Sequence, residues 1–589
     1  MKTLKFIFTA LVCTISISLL AMEKWSNHSL DKFKTPTFYY QKTDETATPA
    51  LPKQIKASTI YVNTTSDAFL DETNSSILLA LNGLRYFDKY GEAIQGEVKT
   101  KQPYLYDAVY NWTTYMPDLA QSLAKLTSAN SENKPNLHTC PNYTQVTVES
   151  NLNLTVGNSF SATIRAFNCR GKPKTFGGDY FRARIIKTED VGFIRPNGIA
   201  CNIIDNNDGS YAIRSSLPIP GAMVLEVVLV SSVEQIGKLV NVTGQRRFSG
   251  TSYSAELSSG EQVECNVDLT VFGMYNSSTL CDYSNPRNKE PWFCSKPNSG
   301  NCSTLTWVTF LITTDEPIQH KAFIGYIMAH GLDQNVSSHH LTVSGKYVKD
   351  QLPHCSIKLS SKSGFASSWL FFKSLFCGYE LNRDGIFPCF QNKIVYFLGD
   401  STVRQYFEFV TDLKKLELFG PDSKKVWQQP KVAFDDEYNV TFYYRAHGPP
   451  LQNPGPPSSR PYISDVLDEL SGGPNVYVLI TISIHLYYYE PSVFIHRVIG
   501  IRDALKRLAT RHPGTKVIIK GNNVLASPQE WLGLRYDTIM SKLFKNIDSV
   551  IFLRLWDITS VWPLNDYHPA GPTLAEEILY TFKFFCDNQ

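Results

Sequence analysis

A serine hydroxyl becomes a nucleophile only where a base can take its proton and a third group holds that base in place. One serine of this chain sits in a setting suited to that chemistry. The stretch Phe397-Leu398-Gly399-Asp400-Ser401-Thr402-Val403-Arg404-Gln405 runs from apolar residues through Gly-Asp-Ser into Val403, Phe407 and Val410, which are spaced as one helix face. This order predicts a buried strand, a turn carrying Ser401, and a helix. In open α/β sheets, ligands bind in the crevice beyond the carboxyl ends of the strands. His568, in Leu564-Asn565-Asp566-Tyr567-His568-Pro569, is the candidate base. The acid that would orient it is Asp566 or Asp557. Asp566 lies two positions from the histidine, whereas Asp557 stands at a strand end and has a rigid support. A developing oxyanion needs preorganised donors. The candidates are the backbone N–H of Ser401, the side chain of Arg404 one helical turn on, and His485, Asn522 and Asn523 beyond other strands. Gly399 and Asp400 are expected to shape and brace the turn.

These residues need a sheet to bring them together. Val476-Tyr477-Val478-Leu479-Ile480-Thr481-Ile482 reads as a buried strand. Phe494, Val498, Ile501, Leu505 and Leu508 mark a helix that His512-Pro513-Gly514 stops. Val517-Ile518-Ile519 is a strand, 531–544 a helix, Val550-Ile551-Phe552-Leu553 a strand, and 574–584 a closing helix. Strand and helix alternate, and the strands are apolar throughout. Residues 356–589 therefore read as a three-layer α/β domain, its parallel sheet covered on both faces. The Pro-rich segment 448–461 is expected to form a loop over the site.

At 589 residues the chain has room for about two to four domains. A net charge of +3 with 19% charged residues offers no basic surface for nucleic acid. Met1-Lys2-Thr3-Leu4-Lys5 precedes an uncharged run, the layout of a secretory leader over residues 1–22. It reads as a cleaved signal peptide or a retained type II anchor, the second being the chain's only expected membrane contact. Asn-X-Ser/Thr sequons at Asn27, Asn63, Asn74, Asn111, Asn142, Asn153, Asn241, Asn276, Asn301, Asn335 and Asn439 fit a glycan-coated secretory protein. Eleven of the 12 cysteines lie beyond the leader, without a C-x-x-C pair. They predict disulfides with one odd thiol, buried or paired between chains, and no metal site. After an N-terminal region, 23–139, the run 140–233 alternates with period two between turn residues, as β-sandwich strands do. Residues 234–355 carry five cysteines and read as a disulfide-stapled β extension of that sandwich.

The motif Gly399-Asp400-Ser401-Thr402-Val403-Arg404-Gln405, with acid and histidine near the C-terminus, resembles the PC-esterase branch of the SGNH/GDSL hydrolases. The sequence Asp205-Asn206-Asn207-Asp208-Gly209-Ser210-Tyr211, followed by Pro218-Ile219-Pro220-Gly221, resembles a filamin-type immunoglobulin-like repeat. Pro291-Trp292-Phe293-Cys294 and the spaced cysteines are similar to neurexophilin. Together these features resemble the neurexophilin and PC-esterase domain (NXPE) family over roughly residues 60–589. The resemblance implies a lumenal or secreted O-acetyltransferase or esterase. Such an enzyme would move acetyl groups on sialic acid of glycoproteins through acetyl-Ser401, with acetyl-CoA as donor and no bound cofactor. It also implies an SGNH-like fold for 356–589 and a neurexophilin-like, immunoglobulin-like fold for 140–355. Two departures stand out. The branch usually has aspartate three before the histidine, where this chain has Asn565, and its middle block here reads Thr481-Ile482-Ser483-Ile484-His485. The alternative is therefore a secreted adhesion glycoprotein with an inactive site and a neurexin-like cell-surface partner. The resemblance places the protein in the secretory pathway, secreted or held in the Golgi as a type II membrane protein.

Overall fold

The apolar runs of the C-terminal half pair into one sheet. Its strands are β1 (Ile394–Gly399), β2 (Lys431–Asp435), β3 (Val440–Ala446), β4 (Val476–Thr481), β5 (Lys516–Lys520) and β6 (Val550–Leu553). They lie in the order β2-β3-β1-β4-β5-β6. Neighbours from β3 to β6 are parallel. At the edge, β2 runs antiparallel to β3, so the sheet is mixed rather than purely parallel. The β2–β3 turn closes at Asn439, in left-handed backbone with φ 47°.

This computed structural model describes residues 112–129, 138–149, 154–193, 195–240, 251–267, 272, 279–285, 291–312, 334–346, 355, 364–368, 371–375, 377–420, 429–448, 455–487, 489, 491–525, 530–562 and 568–587. The leader, Asp566 and the sequons at Asn27, Asn63, Asn74, Asn111, Asn153, Asn241 and Asn276 lie outside the described residues. Asn142, Asn301, Asn335 and Asn439 are exposed.

Helices α1 (Ser401–Lys414), α2 (Ile463–Glu469), α3 (Pro491–Arg511), α4 (Glu530–Phe544), α5 (Trp556–Val561) and α6 (Gly571–Cys586) cover the sheet. On one face Val478, Ile480, Val517 and Ile519 meet Phe494, Val498 and Ile501 of α3 and Trp531 of α4. On the other, Phe397, Leu479 and Ile518 meet Val403 and Phe407 of α1 and Ile578 and Phe582 of α6. Successive strand residues face opposite ways, so a strand covered on both sides must be apolar at every position. A disulfide between Cys389 and Cys586, 197 residues apart, joins the segment before β1 to the end of α6. Replacing both cysteines with serine is expected to cost about 2–4 kcal/mol, because the open chain gains loop entropy on unfolding. Denaturant melts of the two proteins, without reductant, check this.

Upstream, two sheets face each other. A four-stranded sheet (Gln145–Val148, Ser159–Arg165, Ser210–Ser216, Asn202–Asp205) packs Phe160, Ile164 and Ile213 against Ile185, Leu225 and Val227 of a seven-stranded sheet. The larger sheet is built on Tyr180–Lys187, Gly221–Ser231 and Gln334–Ser344. It also takes in Gly364–Ser368 and Phe371–Ser374, so it draws chain from both sides of residue 355. The cysteine-rich segment departs from expectation. It forms a five-stranded sheet of its own, stapled by Cys265–Cys294 and Cys281–Cys302, rather than extending the sandwich. The reason is where its apolar face finds cover: Tyr253, Ala255, Trp292 and Val308 share a core with Ile463 and Val466 of α2. Further disulfides join Cys140 to Cys169 and Cys355 to Cys377. Among the described residues the free thiol is Cys201, which is buried.

The sandwich also grips the C-terminal half. Arg182 pairs with buried Glu530 of α4 at 2.9 Å, and Arg184 donates to the carbonyl of Val561 at 2.8 Å. Trp562 donates from Nε1 to the carbonyl of Pro196 at 3.1 Å.

Candidate active site

At the end of β1 the chain turns where only glycine fits. Gly399 has φ 143°, and a Cβ there would lie 1.8 Å from the carbonyl oxygen of Thr481 on β4. Gly399→Ala is expected to cost about 2–4 kcal/mol, strain and steric overlap acting together. An unchanged melting temperature would count against this account of the turn. Asp400 is the N-cap of α1, its carboxylate accepting from Thr402 N at 2.9 Å and Thr402 Oγ1 at 2.7 Å. Ser401 is thus the first residue of α1. It stands where the strand order reverses, with β3 on one side of β1 and β4 on the other.

Ser401 Oγ lies 2.7 Å from Nε2 of His568. Ser401 is buried and His568 half-buried. The loop bearing the histidine is tied to the helix bearing the serine. Gln405, one turn beyond Ser401, donates from Nε2 to the carbonyl of Pro569 at 2.8 Å.

Two more histidines stand at neighbouring strand ends. His447 follows β3, its backbone N–H donating to the Gly399 carbonyl at 3.0 Å. His485 follows β4. His447 Nε2 and His485 Nδ1 are 2.7 Å apart, and His447 Nδ1 is 2.7 Å from the carbonyl oxygen of Gly448. A carbonyl only accepts, so the hydrogen of His447 is on Nδ1. Burial pushes His447 well below the ordinary histidine range, with His485, Arg497 and Arg460 acting in the same sense. Burial also pushes His485 down, to about 4, against the pull of Asp400 and with the help of His568 and Arg460. Both rings are then neutral near pH 7. His485 donates from Nδ1 to His447, which leaves its Nε2 bare. The expected role of His485 as an oxyanion donor is corrected by this tautomer: its remaining nitrogen accepts.

Other expected residues are engaged elsewhere. Arg404 holds Glu408 along α1 at 2.6 Å. Asn522 gives both amide hydrogens away, to Asp537 Oδ1 at 2.7 Å and to the Gly533 carbonyl at 3.2 Å, and its Oδ1 accepts from Ser483. It has no hydrogen left for an oxyanion. Asp537 itself is pushed up to about 7 by burial, against the donors of Asn522. Asp557 lies in α5, not at an open strand end. Its Oδ1 pairs with Arg554 at 3.1 Å, and its buried Oδ2 accepts no hydrogen bond, so it does not orient His568.

A narrow cleft flanks the serine's turn, lined by Asp400, Thr402, Thr481, Lys520, Asn523 and Leu525 among others. Lys520 is fixed there by Glu577 at 2.9 Å. Asn523 keeps a buried Nδ2 without a partner, so of the adjacent asparagines it is the one with a hydrogen to give. His447 and Gln405 were not expected to act in the site. The signal for His447 was the aromatic and β-branched run Val440–Ala446 just before it, which is a strand. Among the described residues no group of histidine, cysteine and carboxylate side chains is arranged to hold a metal ion.

Comparison with known proteins finds two family matches. Residues 126–316 match the family described as Neurexophilin, and residues 372–586 match the NXPE family member 4-like, C-terminal domain. Among solved structures, the chain is similar at 11% identity to FdeC, an Escherichia coli adhesin, covering 35% of this chain and 66% of that one with a TM-score of 0.13. It is similar at 9% identity to invasin, a bacterial integrin-binding protein, covering 52% of this chain and 60% of that one with a TM-score of 0.13. The chain thus spans less than two thirds of either protein. The neurexophilin match supports a secreted protein, and among the described residues no helix is long and apolar enough to cross a membrane. A sandwich half that matches neurexophilin and a Gly-Asp-Ser-bearing half that matches the NXPE C-terminal domain lead to one assignment: the chain belongs to the NXPE family.

Proposed function

We propose that this protein is a serine-dependent acyl transferase or esterase of the PC-esterase type, moving acetyl groups to or from sugar hydroxyls in the secretory pathway. The observation that carries the reading is the 2.7 Å contact between Ser401 Oγ and His568 Nε2, at the point where the strand order reverses. In this reading the C-terminal half is an SGNH-like domain and the sandwich a filamin-type, immunoglobulin-like one.

The steps follow from the two side chains. Ser401 Oγ attacks the acetyl carbonyl carbon as its proton passes to Nε2 of His568. The carbonyl electron pair moves onto oxygen, where the N–H of Ser401, at the positive end of α1, stabilises it. Collapse breaks the bond to the donor's leaving atom, which takes the proton from Nε2, and acetyl-Ser401 remains. An acceptor O–H then attacks the same carbon and gives its proton to Nε2. The second collapse returns that proton to Ser401 Oγ and releases the acetylated acceptor. Water as acceptor gives hydrolysis, and a sugar hydroxyl gives transfer. With Nε2 accepting, the resting hydrogen of His568 is on Nδ1. Asp566 is the proposed partner for it, since Asp557 is held by Arg554. Acetyl-CoA is the proposed donor, sialic acid on glycoproteins the proposed acceptor, and the Golgi lumen the proposed place of work.

One observation favours a second reading. Asn565 stands where the branch usually has aspartate. A chain with a disabled site would be a secreted binding glycoprotein, a neurexophilin-like ligand of a neurexin-like surface protein. Incubating the secreted protein with an acetyl donor and sialylated glycans, then weighing protein and glycans by mass spectrometry, separates the two. Acetyl on the glycan and on Ser401 is expected. Acetyl on neither would rule out the enzyme and leave the ligand.

A further inference from the structure

We propose that His485, held by His447, recognises the acyl acceptor: its Nε2 takes a hydrogen bond from a hydroxyl next to the one being acylated. The inference rests on the acyl-transfer reading above and gives it a specificity residue.

The hydrogen bonds through the two rings form a chain of fixed direction. The Gly448 carbonyl can only accept, so His447 donates from Nδ1 and must accept at Nε2. The hydrogen between the two rings therefore belongs to His485 Nδ1. A second hydrogen on His485 would make it a cation, which burial and the positive charge of Arg460 oppose. On the His447 side, Arg497 and Arg460 act in the same sense, and among the described residues Asp400 is the anion that acts on His485. The result is a lone pair held in position by backbone geometry, since both rings follow strands hydrogen-bonded to β1.

His485 stands at the serine's turn: it pairs with His447, whose backbone N–H donates to the carbonyl of Gly399, and it follows the strand whose Thr481 pairs with Gly399. The hydroxyls of that turn are already directed. The Ser401 hydroxyl is engaged with His568, and the Thr402 hydroxyl with Asp400. A fixed acceptor favours a ligand that brings a donor. Water attacking acetyl-Ser401 needs only one O–H directed at His568. A sugar brings further hydroxyls at fixed spacing, one of which can reach His485 while its neighbour attacks. His485 would therefore tilt the acetyl enzyme toward polyols and away from water. It touches the substrate, whereas His447 acts through it.

Two measurements test this. In resting protein carrying 15N-histidine, both rings are expected to stay neutral from about pH 5 to 8 with hydrogen on Nδ1. A His485 that carries its hydrogen on Nε2, or that charges above about pH 6, overturns the proposal. In turnover, His485→Phe is expected to lower the ratio of glycan transfer to hydrolysis about tenfold and to raise the acceptor KM. His447→Leu, which removes the acceptor for Nδ1–H, is expected to lower the same ratio about fivefold, and His447→Gln to recover at least half of that loss. The His447 pair keeps the test decisive should His485→Phe fail to fold. Acetyl-Ser401 that forms normally and partitions without regard to either histidine overturns this proposal alone. A wild-type protein that never forms acetyl-Ser401 overturns the acyl-transfer reading, and this inference with it.

Discussion

Ser401→Ala is expected to lower acetyl transfer by about 10⁴- to 10⁶-fold while leaving the fold intact. The hydroxyl is the atom that bonds to carbon, and nothing else in the turn can replace it. Its observed hydrogen bond runs to His568, outside the backbone ladder of the sheet. Alanine is also well suited to the first turn of a helix. His568→Ala is expected to lose a similar factor, because an unassisted serine is a poor nucleophile. The double variant should be little worse than either single one, since the two side chains act as a unit. The check is a rate of acceptor acetylation for all four proteins, each with a melting curve. Full activity in Ser401→Ala would remove this serine from the chemistry.

The second large effect concerns stability. Lys520 and Glu577 form a buried pair 2.9 Å apart, each side chain only 1% exposed. Tyr406 donates its hydroxyl to the same carboxylate at 3.0 Å. Glu577→Ala strips a buried ammonium of its partner and is expected to cost about 3–5 kcal/mol. Exchanging both members for apolar residues, Lys520→Met with Glu577→Leu, is expected to recover most of that loss. Because Lys520 also lines the cleft beside the serine, the single variant should weaken the site before it unfolds the domain. Denaturant unfolding of the single and double variants tests the pair. Equal stability of Glu577→Ala and wild type would show that the ammonium finds water or another partner.

The strands that cross the middle of the sheet were legible because burial on both faces leaves an unbroken apolar word, as in Val476–Thr481. The hairpin of β2 and β3 was not. Thr441 and Arg445 interrupt its pattern, and the Pro-rich segment 448–461 separates it from the next helix, α2. Strand order is harder still. Nothing in the residues of β3 announces that it returns to lie against β1, yet that return sets His447 beside Gly399. The contact between Ser401 and His568 could be expected from two strand ends on one sheet edge. The roles of smaller groups could not. Asn522 and Asn523 are adjacent and chemically identical, and Asp537, on a later helix, captures one of them. Asp557 follows a strand as expected, but a turn of helix begins there and Arg554 takes its carboxylate.

The bonds from Arg182, Arg184 and Pro196 to the C-terminal half have a consequence for how this protein can change over time. Glu530 sits nearly sealed under Arg182, and the indole of Trp562 ends on a carbonyl from the other half. A C-terminal half transplanted onto an unrelated neighbour would bare a carboxylate and an indole N–H made for a particular seat. The two halves thus fit each other as a matched pair, and a substitution at Arg182 or Glu530 removes an ion pair across the seam.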